Sequence, residues 1–143
     1  MLGYWRRPEA TAETIDADNW VKIGDVGHLD GDGFLYLSDR IADMIISGGE
    51  NIYPAEVEAA IAEHPGVAQV AVVGQPHPKW GETPVAFVVP TQPVRDALAD
   101  EVVEHCRANL AGYKNPTRVV VVDSLPLTAT GKIAKTELRY AAG

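Results

Sequence analysis

The sequence holds a single cysteine, Cys106, which excludes an internal disulfide and any metal site built from several thiolates. Cys106 stands among Val102, Val103 and Leu110 at helical spacing, the position of a buried, inert thiol. Histidine is as sparse. His28, His64, His77 and His105 are isolated, none with a partner at metal-ligand spacing, so all four read as structural or solvated and no metal site is expected. No Ser-His-Asp arrangement can be assembled either. Positive charge is also short: 12 Lys and Arg against 20 Asp and Glu leave a net charge of -8. The basic residues are scattered, with no aromatic-basic stripe, which argues against nucleic acid as a partner. No run of about 18 apolar residues exists, so no membrane span is expected, and the first residues lack the basic-then-apolar plan of a signal peptide. A soluble, cytoplasmic protein is the resulting expectation. Internal repeats and low-complexity segments are absent.

What is there fits one domain with its own core, since the chain has 143 residues. The first 38 residues read as two short hairpin-type pieces. In the clearer one, Asp30-Gly31-Asp32-Gly33 separates Val26-Gly27-His28-Leu29 from Phe34-Leu35-Tyr36-Leu37, a turn between strand formers. A calcium loop is excluded there, because Phe34 and Leu35 stand where a ligand and a glycine are needed. From Ile41 onward strands alternate with helices. Pro54, Glu56 and Glu58 open a helix that carries Val57 and Ile61 on its apolar face and stops at His64-Pro65-Gly66. Residues 67–73, 85–89 and 118–122 read as strands, and residues 97–110 as a second helix capped by Asp96 and ended by Gly112. This order predicts an α+β fold, a small three-stranded sheet covered by helices, plus an N-terminal β-hairpin segment.

Near the C-terminus runs Pro126-Leu127-Thr128-Ala129-Thr130-Gly131-Lys132-Ile133-Ala134-Lys135, a small-polar loop that presents one lysine before a helix. A lysine held beside Gly131 can set an ammonium group against a carboxylate or phosphate. The stretch is not a P-loop, which needs glycine at Pro126 and Ser or Thr at Ile133.

Two earlier stretches accompany it: Trp20-Val21-Lys22-Ile23-Gly24-Asp25-Val26-Gly27, and Leu37-Ser38-Asp39-Arg40-Ile41-Ala42-Asp43-Met44-Ile45-Ile46-Ser47-Gly48-Gly49-Glu50-Asn51-Ile52-Tyr53-Pro54-Ala55-Glu56. Together the three resemble, in order and over nearly the whole chain, the C-terminal part of adenylate-forming acyl-CoA synthetases. The resemblance implies activation of a carboxylic acid, fatty or otherwise hydrophobic, with ATP and Mg2+ to an acyl-adenylate, and transfer of the acyl group to the thiol of CoA. It implies that residues 1–38 are the tail of a large N-terminal domain, 39–43 a hinge, and 44–143 a mobile C-terminal domain. The missing large domain is then the first partner. With it would go the acyl pocket and the phosphate loop, so the chain alone should hold neither ATP, Mg2+ nor CoA and should be inactive. Leu2, Tyr4, Trp5, Trp20 and Ile23 look like parts of a larger core, and in isolation they should seek cover against the small domain or, by self-association, another copy.

Residue roles follow from the resemblance. Asp25, after Gly24, would accept hydrogen bonds from a ribose, although a turn aspartate satisfying local amides is the plainer reading. Ile23 stands where the family usually has threonine, which thins the polar contacts around the nucleotide. Arg40 would reach the ribose or a phosphate oxygen; an ion pair with Asp39 or Asp43 is the alternative. Ala42 falls at the hinge position, where the family commonly carries Lys or Asp, and its missing polar contact should alter the balance of the two poses. Ser47, Gly48 and Gly49 would line the pantetheine tunnel, with a plain hairpin turn as the competing reading. Lys132 would be the adenylation lysine, bridging the attacking carboxylate and the α-phosphate; a solvated surface lysine is the bland alternative. Lys135 and Arg139 receive no catalytic role, and Glu82 has no mechanism assigned.

Two other functions stay open. One is an adenylation domain serving a carrier protein or a luciferase-like oxidation, against which the double-glycine loop leans towards CoA. The other is a stand-alone, non-catalytic module that binds nucleotide, CoA or a protein.

Overall fold

The computed structural model describes residues 1–92 and 97–141. Both N-terminal turns expected from the sequence are present and share one construction. Asp16 Oδ1 accepts the amides of Asp18 and Trp20, and Asp30 Oδ1 those of Asp32 and Phe34. An aspartate that satisfies amides two and four residues on mimics a backbone turn. The first turn closes only a single bridge, between Ile15 and Val21. The second joins β1 (Asp25–Leu29) to β2 (Leu35–Arg40) in an antiparallel hairpin. Ahead of both lies a helix the sequence reading did not include, α1 (Pro8–Thr14), with Pro8 in its first turn and no buried residue.

The α+β class is as predicted, but the main sheet has five strands rather than three. The three expected strands are β5 (Val67–His77), β6 (Gly81–Pro90) and β7 (Arg118–Val121). The additions are two short strands, β3 (Ile45–Ser47) and β4 (Glu50–Ile52). β5 runs antiparallel along one edge of β6. The other edge is shared: β7 pairs parallel with residues 85–88, and β3 joins near the start of the strand at Gly81. α2 (Pro54–Ala62) and α3 (Leu98–Asn109) lie where the sequence predicts helices; the cap assigned to Asp96 falls outside the described residues.

Alternation along the strands explains why 85–88 is buried without a break. Ala86 and Val88 point into one cluster with Val72, Val57, Ile61, Val102 and Cys106, under α2 and α3. Val85 and Phe87 point into a second with Ala71, Val73, Leu125 and Leu138, under α4 (Lys135–Tyr140). A sheet covered on both faces needs apolar residues at every position. Burial holds Cys106 as expected and pushes its thiol pKa upward. The outer edge of β5 is closed by side chains: Glu58 on α2 accepts the Val72 amide at 2.8 Å and the Lys135 ammonium at 2.7 Å.

Candidate functional site

The hairpin brings Asp25 and Arg40 together as cross-strand neighbours. Arg40 Nε lies 3.2 Å from Asp25 Oδ1, so the guanidinium pairs with Asp25 and not with Asp39 or Asp43. Side-chain exposure of 66% for Arg40 against 25% for Asp25 leaves most of the guanidinium free for another acceptor. A shallow depression of about 300 Å3 opens here, lined by Asp25, Leu37, Ser38, Asp39 and Arg40.

A single 3-10 turn, Ile41–Asp43, follows directly. Its two ends are tied in opposite directions. Arg40 is held by Asp25, and the Ile41 amide donates to Gly24 O at 2.9 Å, both on the β1 side. Arg139, on α4, donates to Ala42 O at 3.1 Å and to Asp43 Oδ1 at 2.9 Å. Ala42 therefore has a polar tether through its carbonyl, one that does not depend on its side chain.

Ser47, Gly48 and Gly49 form the turn of the β3–β4 hairpin, with Ser47 opposite Glu50. Gly48 and Gly49 have φ of 60° and 92°. Two successive positive φ values mark a two-residue hairpin loop matched to strand twist. The plain hairpin-turn reading is thus correct for the form of this segment. Gly48 has a further constraint: a Cβ there would meet Trp80 Cε3 at 2.9 Å. The end of the β5–β6 turn and the start of β6 brace this loop at three successive residues. Trp80 O accepts the Gly48 amide at 2.9 Å, Gly81 pairs with Ser47, and Glu82 Oε2 accepts the Ile46 amide at 3.3 Å. Beside the brace lies a groove of about 370 Å3, bordered by Ser47, Gly48, Trp80, Thr83, Tyr113 and Thr117.

Lys132 sits on a loop closed by the Leu127–Ile133 bridge. The Thr128 amide donates to Lys132 O at 2.7 Å, the Gly131 amide to Thr128 O at 2.9 Å, and the Lys132 amide to Thr128 Oγ1 at 3.2 Å. These bonds pin the backbone around Lys132 while its side chain stays exposed, with no carboxylate partner among the described residues. Three other cations are committed to carboxylates. Lys135 binds Glu58, Arg139 binds Asp43, and Lys114 binds Glu56, whose hydrogen bond raises the Lys114 pKa.

Three residues whose contacts sequence reasoning did not foresee thus hold the site together: Asp39, Glu82 and Trp80. Asp39 Oδ1 accepts the Arg40 amide at 2.7 Å and Oδ2 accepts the Ala55 amide at 2.9 Å, sixteen positions away. The absence of Ser, Thr, Asp or Asn before Pro54 signals a helix start in need of a distant cap. Glu82 and Trp80 left no comparable signal, because their partners are main-chain groups on another strand. Leu2, Trp5, Trp20 and Ile23 remain exposed, so the rest of the chain gives them little cover. Among the described residues no cluster of His, Cys, Asp and Glu is arranged to hold a metal ion, and no helix is long and apolar enough to cross a membrane.

Comparison with known proteins places this geometry. Residues 56–132 match the family model described as the AMP-binding enzyme C-terminal domain. A feruloyl-CoA synthase of Amycolatopsis is 53% identical over 139 residues, 97% of this chain and 28% of that protein. A long-chain-fatty-acid–CoA ligase of Mycobacterium tuberculosis is 49% identical over 136 residues, 95% of this chain and 26% of that protein. The solved o-succinylbenzoate CoA synthetase of Bacillus subtilis, in complex with its acyl-adenylate intermediate, superposes with a TM-score of 0.86 at 43% identity, covering 97% of this chain and 28% of that one. The chain spans about a quarter of the length of the curated relatives it matches.

Proposed function

Because the chain belongs to the family of AMP-binding enzyme C-terminal domains, we propose that it is the C-terminal part of an ATP-dependent acid–thiol ligase, which converts a carboxylic acid to an acyl-adenylate and passes the acyl group to CoA. Residues 1–38 form the tail of a large N-terminal domain, 39–43 the hinge, and 44–143 the mobile small domain. Fatty or other hydrophobic acids are the substrate class; the relatives named above act on unlike acids, in keeping with an acyl pocket that lies in the large domain.

One observation carries the reading: Lys132 is an exposed ammonium on a loop pinned by main-chain hydrogen bonds at Thr128, Gly131 and Lys132, while Lys114, Lys135 and Arg139 are all spent on carboxylates. A cation so placed lowers the energy of the negatively charged transition state when a carboxylate attacks the α-phosphate of ATP, with pyrophosphate as the leaving group. Mg2+ arrives with ATP as substrate. Arg40, steadied by Asp25, binds the ribose or a phosphate oxygen of the adenylate. Ser47, Gly48 and Gly49 present backbone to the pantetheine arm, and the groove beside Trp80 lies along its approach.

Alone the chain is inactive, because the acyl and phosphate sites are supplied by the large domain. The test uses the full-length protein. Lys132→Ala should lower acid-dependent ATP–pyrophosphate exchange by about a hundredfold, equivalent to about 3 kcal/mol. Exchange that continues at the parent rate would falsify the assignment of Lys132.

A further inference from the structure

The tethers around the 3-10 turn locate a pivot. Arg40 and Ile41 are bound to the β1 side by Asp25 and Gly24 O. Ala42 and Asp43 are bound by Arg139 on α4, a part of the small domain. Between the two anchored pairs lies the link from Ile41 to Ala42. A rotation of the small domain relative to the tail concentrates there, since bonds on either side resist it.

Asp39 stands on the tail side of that link, yet its carboxylate reaches across it. Oδ2 accepts the Ala55 amide at 2.9 Å, at the first turn of α2. That turn has no cap of its own: Tyr53 occupies the N-cap position with no side-chain hydrogen bond, and Pro54 offers no N–H. α2 is thus capped by a residue from the other side of the pivot. When the small domain turns, Ala55 leaves with α2 and the bond is lost.

We propose that Asp39 is a positioning residue that holds the small domain in the pose seen here by capping α2 across the Ile41–Ala42 link. The inference rests on the two-pose reading given under the proposed function. Both oxygens of Asp39 are taken by main-chain amides, those of Arg40 and Ala55, so the residue acts through the orientation of the small domain. The main-chain bonds of Met44 to Arg40 O and Ile41 O span the same link, but they belong to the turn and no side-chain substitution removes them. Asp39 bonds across the link through its side chain, so a substitution there can change the balance of poses.

The experiment compares two rates in the full-length enzyme: acid-dependent ATP–pyrophosphate exchange, and thioester formation from supplied acyl-adenylate and CoA. Asp39→Ala should change their ratio about fivefold, the factor an ordinary N-cap hydrogen bond is worth. Asp39→Asn keeps an oxygen that can accept the Ala55 amide, and should return the ratio close to the parent value. A purely structural role would lower both rates together, and that outcome overturns the proposal, as does an Asn variant indistinguishable from the Ala variant. Hydrogen exchange of the Ala55 amide in the parent enzyme needs no variant. It should differ between the ATP-loaded and CoA-loaded forms, and equal exchange in both overturns the proposal. A parent enzyme that makes no acyl-adenylate overturns the proposed function as well; one that makes it while the ratio stays fixed overturns only the assignment of Asp39.

Discussion

Gly48 and Gly49 look interchangeable in the sequence and are not so in the fold. Each has a positive φ, which a residue with a Cβ adopts at a cost of about 1–2 kcal/mol. Only Gly48 also faces Trp80, with 2.9 Å to the ring from an added Cβ, whereas nothing lies within 4 Å of one added at Gly49. Gly48→Ala should therefore lower unfolding free energy by about 2–3 kcal/mol, against about 1 kcal/mol for Gly49→Ala. Urea denaturation of the two variants separates them, and Trp80→Ala should recover part of the Gly48→Ala loss. Equal losses would mean that Trp80 gives way and that the indole does not shape the loop. The paired glycines were legible as a special segment from the resemblance alone. That Gly48 is required by an indole thirty-two positions on was not, because strand pairing brings the two together.

The hairpin β1–β2 shows how a charged turn supports an element that buries little. Hydrogen bonds to Asp30, above all from the Phe34 amide and then from the Tyr36 side chain and the amides of Asp32 and Gly33, outweigh its desolvation and hold its carboxyl pKa below the usual 3.8. A folded-state pKa below the unfolded value means stabilisation that is complete above about pH 4 and is lost as pH falls through the lower, folded value. The Phe34 amide resonance should accordingly titrate with a midpoint below 3.8, and Asp30→Asn should remove that titration. A midpoint at the ordinary aspartate value would show that the turn does not hold the carboxylate. Elements with a strong local signal, α2, β5, β6 and the β1–β2 turn, were legible in the sequence. β3 and β4 were not, since three residues each carry too little pattern to read, and their pairing depends on Glu82 and the β5–β6 turn. α1 has Pro8 and Glu9 at its start but no buried face, so its periodicity is weak.

At the scale of the molecule, Leu2, Trp5, Trp20, Ile23, Phe34 and Leu37, all among the first 38 residues, are mostly exposed. Burial of such side chains is worth about 25 cal/mol per Å2, which is enough to drive association when no other surface covers them. The 143-residue chain should therefore self-associate in sedimentation experiments at tens of micromolar, and a Trp5→Lys, Trp20→Lys variant should be monomeric. A parent chain that stays monomeric throughout would show that this face does not drive association.

What the sequence determined by itself is whatever lies within a few residues of its own cause. Pro54 and Glu56 open α2, Asp30 closes its turn, unbroken apolar runs mark strands buried on both faces, and three short motifs identify a family. What the tertiary structure decided are the pairings that cross the chain: Asp25 with Arg40, Asp39 with Ala55, Arg139 with the turn at Ala42, and Glu82 with Ile46. The physical reason is range. Turn and helix signals act through neighbouring backbone groups, whereas a cap supplied from sixteen positions away or an ion pair from ninety-six exists only once the fold has set both partners within about 3 Å.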